Sequence, residues 1–162
     1  MPNWCSNVVY LSHTDKKKMA VLLTELDKGE DNAQFFNVLR KRPAKKEDDW
    51  YEWNLAHWGT KWDSNVNAYE DQDDNIWISF ETAWSPPLAL YEYLTKKGWS
   101  VDAVYSEPGM QYCGSWIDGK DDYYDYSEIL GDKKKLKKIP SDIYEFADLD
   151  YQHECHMEQE EE

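Results

Sequence analysis

The chain has no run of apolar residues longer than a handful. That excludes a membrane-spanning helix and the hydrophobic region of a secretion signal, so a cytoplasmic protein is the expectation. Cysteine is scarce as well: Cys5, Cys113 and Cys155 are odd in number and irregularly spaced, which fits reduced thiols better than a disulfide framework. No glycine-rich phosphate loop, nucleophile elbow or HExxH motif occurs, and with them go the familiar signs of an enzyme. Positive charge is short too. Residues 1–62 carry ten Lys/Arg against nine Asp/Glu, whereas residues 63–162 carry eight against twenty-four. The net charge of −15 therefore belongs to the later part of the chain. Such a balance disfavours direct contact with a phosphate backbone and favours a basic partner.

What is abundant is aromatic surface. Nine Trp and twelve Tyr in 162 residues give large contact area from few side chains, enough for one aromatic core. The chain is organised around residues 76–88. There Ile76, Ile78 and Phe80 alternate with Trp77, Ser79 and Glu81 as on a strand, and the period then lengthens to that of a helix. Ser85 is expected to cap this helix with Pro86 in its first position, and Gly98 to end it.

The same criteria predict a strand over residues 4–11. A helix follows it, capped by Thr14 or Ser12, with Met19, Leu22, Leu23 and Leu26 on its apolar side and Gly29 beyond its end. Residues 66–70 and 76–82 pair across the polar turn 71–75, and residues 100–106 make a further strand. The order strand, helix, strand, strand, helix, strand is that of an α+β protein built on a ferredoxin-like split βαβ unit, an antiparallel sheet with two helices on one face. Residues 31–62 read as a helical insertion. Residues 110–117 and 123–126, joined by Asp118-Gly119, read as an added hairpin. The expected organisation is a domain over residues 1–130, then a lysine-rich linker and an acidic, disordered tail over 131–162.

Four segments carry a family resemblance: Met1-Pro-Asn-Trp-Cys-Ser-Asn7, Trp58-Gly-Thr-Lys-Trp62, Phe80-Glu-Thr-Ala-Trp-Ser-Pro-Pro87, and Glu107-Pro-Gly109 with Gly114. In order and spacing they resemble the Api92-like proteins with a ferredoxin-like domain, over roughly residues 1–117. The resemblance implies the ferredoxin-like topology and a phage or mobile-element setting, in the cytoplasm of a host cell. It implies no reaction. "Ferredoxin-like" is a topology here, since the three cysteines have no spacing that holds an iron–sulfur cluster.

Several constellations are candidates for function. Trp58, Lys61, Trp62, Trp84 and Glu107 fall at ends of elements, where a Lys61–Glu107 pair walled by indoles would form a ligand cleft; the alternative is that the indoles plug the core. His153, Cys155 and His156 are three potential metal ligands within four residues, but no second ligand pair accompanies them, so no metal and no cofactor is predicted. Tyr10 and Trp77 are placed to stack bases on an open sheet face, against which stand Glu81 and the overall negative field. The most distinctive stretch is Asp118, Asp121, Asp122, Tyr123, Tyr124, Asp125, Tyr126 and Glu128. Carboxylates spaced along an exposed hairpin imitate the charges of a nucleic-acid backbone, and tyrosines anchor interfaces; otherwise the charges simply protect a sheet edge. The expectation is thus a non-enzymatic accessory protein that binds and inhibits a host or defence protein with a basic surface, acting as a nucleic-acid mimic. A small-ligand-binding or hydrolytic domain using the Trp/Lys/Glu cleft is the alternative.

Overall fold

The computed structural model describes residues 2–161; Met1 and Glu162 lie outside the described residues. The chain runs β1 (Trp4–Ser12), α1 (Lys16–Leu26), α2 (Phe35–Leu39), a 3-10 turn (Ala44–Lys46), α3 (Trp50–His57), β2 (Asn65–Asp71) and β3 (Ile76–Ala83). It continues through α4 (Leu88–Lys96), β4 (Ser100–Glu107), β5 (Tyr112–Ile117), β6 (Lys120–Asp125), α5 (Lys133–Leu136), α6 (Ser141–Phe146) and α7 (Leu149–Glu161). The class is mixed α+β. One six-stranded sheet has the order β2-β3-β1-β4-β5-β6, and every neighbouring pair is antiparallel. No helix among the described residues is long and apolar enough to cross a membrane.

The strand alternation sorts the sheet into two faces. Cys5, Asn7, Val9 and Leu11 of β1 are all buried. They stand beside Thr82, Phe80, Ile78 and Ile76 of β3, and Val9 and Leu11 stand beside Ala103 and Val101 of β4. Against this face pack Leu22 and Leu26 of α1, Phe35 and Phe36 of α2, Trp53 of α3, and Leu90, Tyr91 and Leu94 of α4. Phe80 meets Phe35 and Phe36 edge-on at 5.1 and 5.7 Å between centroids, the arrangement that adds about 0.5–1.5 kcal/mol per aromatic pair beyond burial.

The other face is covered over β4–β6 by the C-terminal segment, which corrects the expectation of a linker and disordered tail over 131–162. Leu136, Ile139, Ile143, Tyr144, Ala147 and Leu149 are buried with Cys113, Tyr126 and Leu130, and Val104 and Tyr124 pack beside them. The lysine run 133–138 resembles a linker because its lysines are exposed, while Leu136 in its midst is fully buried. The buried apolar positions are scattered over the four-residue α5, the six-residue α6, the residues between the helices and the first residue of α7, too few in any one helix to show a period, with Pro140 interrupting them. Asp132 caps α5 by accepting from Lys135 N at 3.2 Å. Asp150 binds the Tyr144 hydroxyl at 2.5 Å and lies 3.5 and 3.7 Å from the ammonium groups of Lys133 and Lys137.

Two helix starts differ from expectation. At α1 the cap is Asp15, whose carboxylate accepts from Lys17 N at 3.0 Å. α4 begins at Leu88, later than Ser85 would place it, because Pro87 keeps Pro86 out of helical geometry. Ser85 instead donates to Gly59 O at 2.7 Å. The Asp118-Gly119 turn is as the dipeptide predicts, with φ of 52° and 82°, positive at both central positions. All three thiols are free. Cys5 and Cys113 are buried, each with its pKa pushed up to about 12 chiefly by burial, and Cys155 is partly exposed.

Candidate functional site

The acidic strand β6 forms one edge of the sheet. Alternation places Asp121, Tyr123 and Asp125 on one face and Asp122 and Tyr124 on the other. Asp118, Asp121, Tyr123, Asp125 and Glu128 are exposed, while Asp122 and Tyr124 are half-buried. Tyr126 is completely buried in the second core, so this expected contact residue cannot reach a partner. The carboxylates are held by hydroxyls: Asp121 accepts from Tyr105 at 2.6 Å, Asp122 from Tyr124 at 2.9 Å, and Asp125 from Ser127 at 2.7 Å. Bonds from the Ser127 hydroxyl and amide hold the Asp125 carboxyl below its usual range. Among the described residues no ion pair involves Asp118, Asp121, Asp122, Asp125 or Glu128. Gly114 makes room behind this strand, since a Cβ there would collide with Tyr105 Oη and the Asp122 carbonyl.

The expected cleft does not assemble. Trp58 is buried in the first core and donates its indole N–H to Arg40 O at 3.0 Å. Lys61 places its ammonium 4.5 Å from the Trp62 ring centroid. Glu107 is buried, and its carboxylate accepts from Gly109 N and Met110 N at 2.7 and 2.9 Å, closing its own turn where a Lys61 pair was expected. Trp84 is half-exposed at a φ of 72°; its N–H donates to Asn3 O, and its carbonyl accepts from the Tyr112 hydroxyl. Tyr10 and Trp77 do face each other across β1 and β3 on the half-sheet that α5–α7 leave uncovered. His153, Cys155 and His156 ride on α7. There His153 Nδ1 lies 2.7 Å from Leu130 O and His156 Nε2 lies 3.6 Å from Glu160. Among the described residues no three His, Cys, Asp or Glu side chains group in a way that would hold a metal ion.

Two of the expected cleft residues, Trp58 and Trp62, line a different hollow. It measures about 790 Å³ and lies between α2, the Ala44–Lys46 turn, α3 and residues 58–65, with Arg42, Trp50, Asn54 and Asp63 in its walls. Arg42 Nη1 donates to Asn54 Oδ1 at 2.9 Å, and Asn54 donates in turn to Lys61 O at 2.8 Å. Asp63 caps α2 from afar by accepting from Phe36 N and Asn37 N at 3.0 and 2.9 Å. Burial raises its pKa from 3.8 to about 6, against the opposing pull of those amide bonds. Neither Arg42 nor Asp63 stands in a recognisable motif, and their most distant partners, Asn54 and Phe36, lie 12 and 27 residues away, so no local signal points to them.

No family model matches the chain, and no curated protein matches it. Among solved structures it is similar to a crystal structure of a protein api92 from Yersinia pseudotuberculosis. The identity is 10%, the TM-score is 0.42, and the match covers 78% of this chain and 99% of the other. At that score the likeness decides neither architecture nor function.

Proposed function

We propose that the protein is a non-enzymatic accessory protein of a phage or mobile element that binds a basic surface on a host or defence protein through the exposed face of β6. The carrying observation is that the exposed carboxylates Asp121 and Asp125 flank the exposed Tyr123 on one face of the edge strand, with Asp118 and Glu128 exposed beyond its two ends, and that none of the four has an ion-pair partner among the described residues. Free charges there attract an opposite potential at long range, while Tyr123 supplies an aromatic anchor at contact. The nucleic-acid-mimic form has a geometric basis. An antiparallel strand rises about 3.4 Å per residue, equal to the axial spacing of phosphates along one DNA strand, so carboxylates on β6 fall on whole phosphate intervals.

The finer fold assignment and the setting belong to the same reading. The path β1-α1-β2-β3-α4-β4 and the order β2-β3-β1-β4 support a ferredoxin-like unit carrying the α2–α3 insertion and the β5–β6 hairpin. The motif resemblance supports a phage or mobile-element origin and residence in the host cytoplasm.

Capture of partners from host lysate by the wild type and by a triple variant, Asp121→Asn, Tyr123→Ser and Asp125→Asn, tests the proposal. A partner retained at low salt, released as ionic strength rises and missing from the variant supports it. Equal capture by both proteins, or retention indifferent to salt, overturns it.

A further inference from the structure

The hollow between α2 and α3 offers chemistry that the acidic strand does not use. Arg42 is held there by a fixed frame. Its backbone N–H donates to Asn37 Oδ1 at 3.0 Å, its Nη1 to Asn54 Oδ1 at 2.9 Å, and its guanidinium carbon lies 5.9 Å from the Trp58 ring centroid. Asn54 is itself buried and fastened to the Lys61 carbonyl, so the guanidinium is oriented before any ligand arrives. One edge of it remains underused. Nε is buried and meets no protein acceptor, and Nη2 meets only the Glu47 carboxylate, at 3.3 and 3.4 Å. The Glu47 side chain is 66% exposed, so it is a loosely held occupant of that edge. An Nε–Nη fork is the donor pair that takes a carboxylate with two parallel bonds.

The remaining walls narrow the ligand. Trp50 and Trp62 contribute indole surface, while Glu30, Asp31 and Asp63 contribute negative charge that outweighs the further cation, Lys41. A dianion would meet repulsion from those acids, whereas one negative charge on a flat apolar body is matched by Arg42 and the indoles. We propose that this cavity binds a small monocarboxylate with an aromatic body, its carboxylate on the Nε–Nη2 edge of Arg42 in place of Glu47 and its ring against Trp50 and Trp62. The proposal goes beyond the acidic-strand reading and shares no residue with it.

Phenylacetate is the probe, titrated into the full chain and followed by calorimetry and by tryptophan fluorescence. Inorganic phosphate and phenethylamine serve as the dianionic and carboxylate-free comparisons. Phenylacetate binds saturably and more tightly than either. Arg42→Lys, which loses the fork, weakens it at least about tenfold. Glu47→Gln removes the competing carboxylate from an exposed side chain, without endangering the fold, and tightens binding several-fold. The triple variant of β6 binds phenylacetate as the wild type does. Absence of saturable binding, equal binding of phosphate or phenethylamine, or an unchanged or weakened affinity in Glu47→Gln overturns the proposal.

Discussion

The two faces of the sheet are stabilised by layers of different construction. Beneath α1–α4 the core spans both the split βαβ strands and the insertion, and it is rich in interlocking Phe and Trp such as Phe35, Phe36, Phe80 and Trp58. Beneath α5–α7 a smaller cluster of Leu, Ile and Tyr packs over β4–β6 and includes no residue of β2 among the described residues. The difference teaches that the added hairpin is stable because it is sandwiched: Trp116 of β5 belongs to the first layer and Cys113 of the same strand to the second. An isolated hairpin would be marginal. The acidic strand is therefore presented on a rigid edge whose back is anchored by helices that the sequence presented as a tail.

Substitutions can break that comparison, beginning with the largest expected effect. Phe80→Ala removes a fully buried ring from the first layer and is expected to cost about 3–5 kcal/mol, read from urea unfolding. Leu136→Ala opens the second layer at a fully buried position. A loss of about 2–4 kcal/mol is expected within the same single transition, because β4 and β5 serve both layers. If a separate early transition appeared in Leu136→Ala, with the first layer unaffected, the layers would be independent and the sandwich account would fail.

Gly114→Ala tests the strand between them. Its Cβ collides with a backbone carbonyl as well as with Tyr105 Oη, so destabilisation of about 1–3 kcal/mol is expected, with loss of order in β6 seen by amide exchange. The last effect is the smallest per unit of its variable, being spread over about two pH units, and concerns the first layer. Asp63 has its folded pKa raised from 3.8 to about 6 by burial, so the folded state holds this proton more tightly than the unfolded chain. Its contribution to stability is present below the unfolded pKa and is lost as pH rises from about 4 to about 6, with a slope of at most about 1.4 kcal/mol per pH unit. The difference in stability between the wild type and Asp63→Asn should change across that window and stay level above it. A difference flat from pH 4 to 6 would mean that Asp63 is ionised throughout.

Elements with an undisturbed local period were legible in the sequence. The alternation of residues 4–11 and 76–82, the apolar spacing of Met19, Leu22 and Leu26, and the Asp118-Gly119 turn each have one physical reading, and each formed where it was expected. What escaped depends on distant partners. Ser85 looks like a helix cap until its hydroxyl finds Gly59, and Glu107 looks like half of an ion pair until its carboxylate finds the amides of its own turn. Asp121, Asp122 and Asp125 fall on the edge strand of the expected hairpin, but Tyr126, read with them as a contact residue, belongs to the core. The Arg42 hollow is assembled from α2, the Ala44–Lys46 turn, α3 and residues 58–65, and leaves no trace in any one of them.

The placement of the thiols makes the molecule its own reporter of opening. Cys5 sits on the face beneath α1–α4 and Cys113 on the face beneath α5–α7, both buried and held protonated at neutral pH, so neither can be alkylated until its own layer parts. With the more accessible Cys155 blocked first, the rates at which the two remaining sulfurs take up an alkylating reagent would time the breathing of each layer separately, with no label added to the protein.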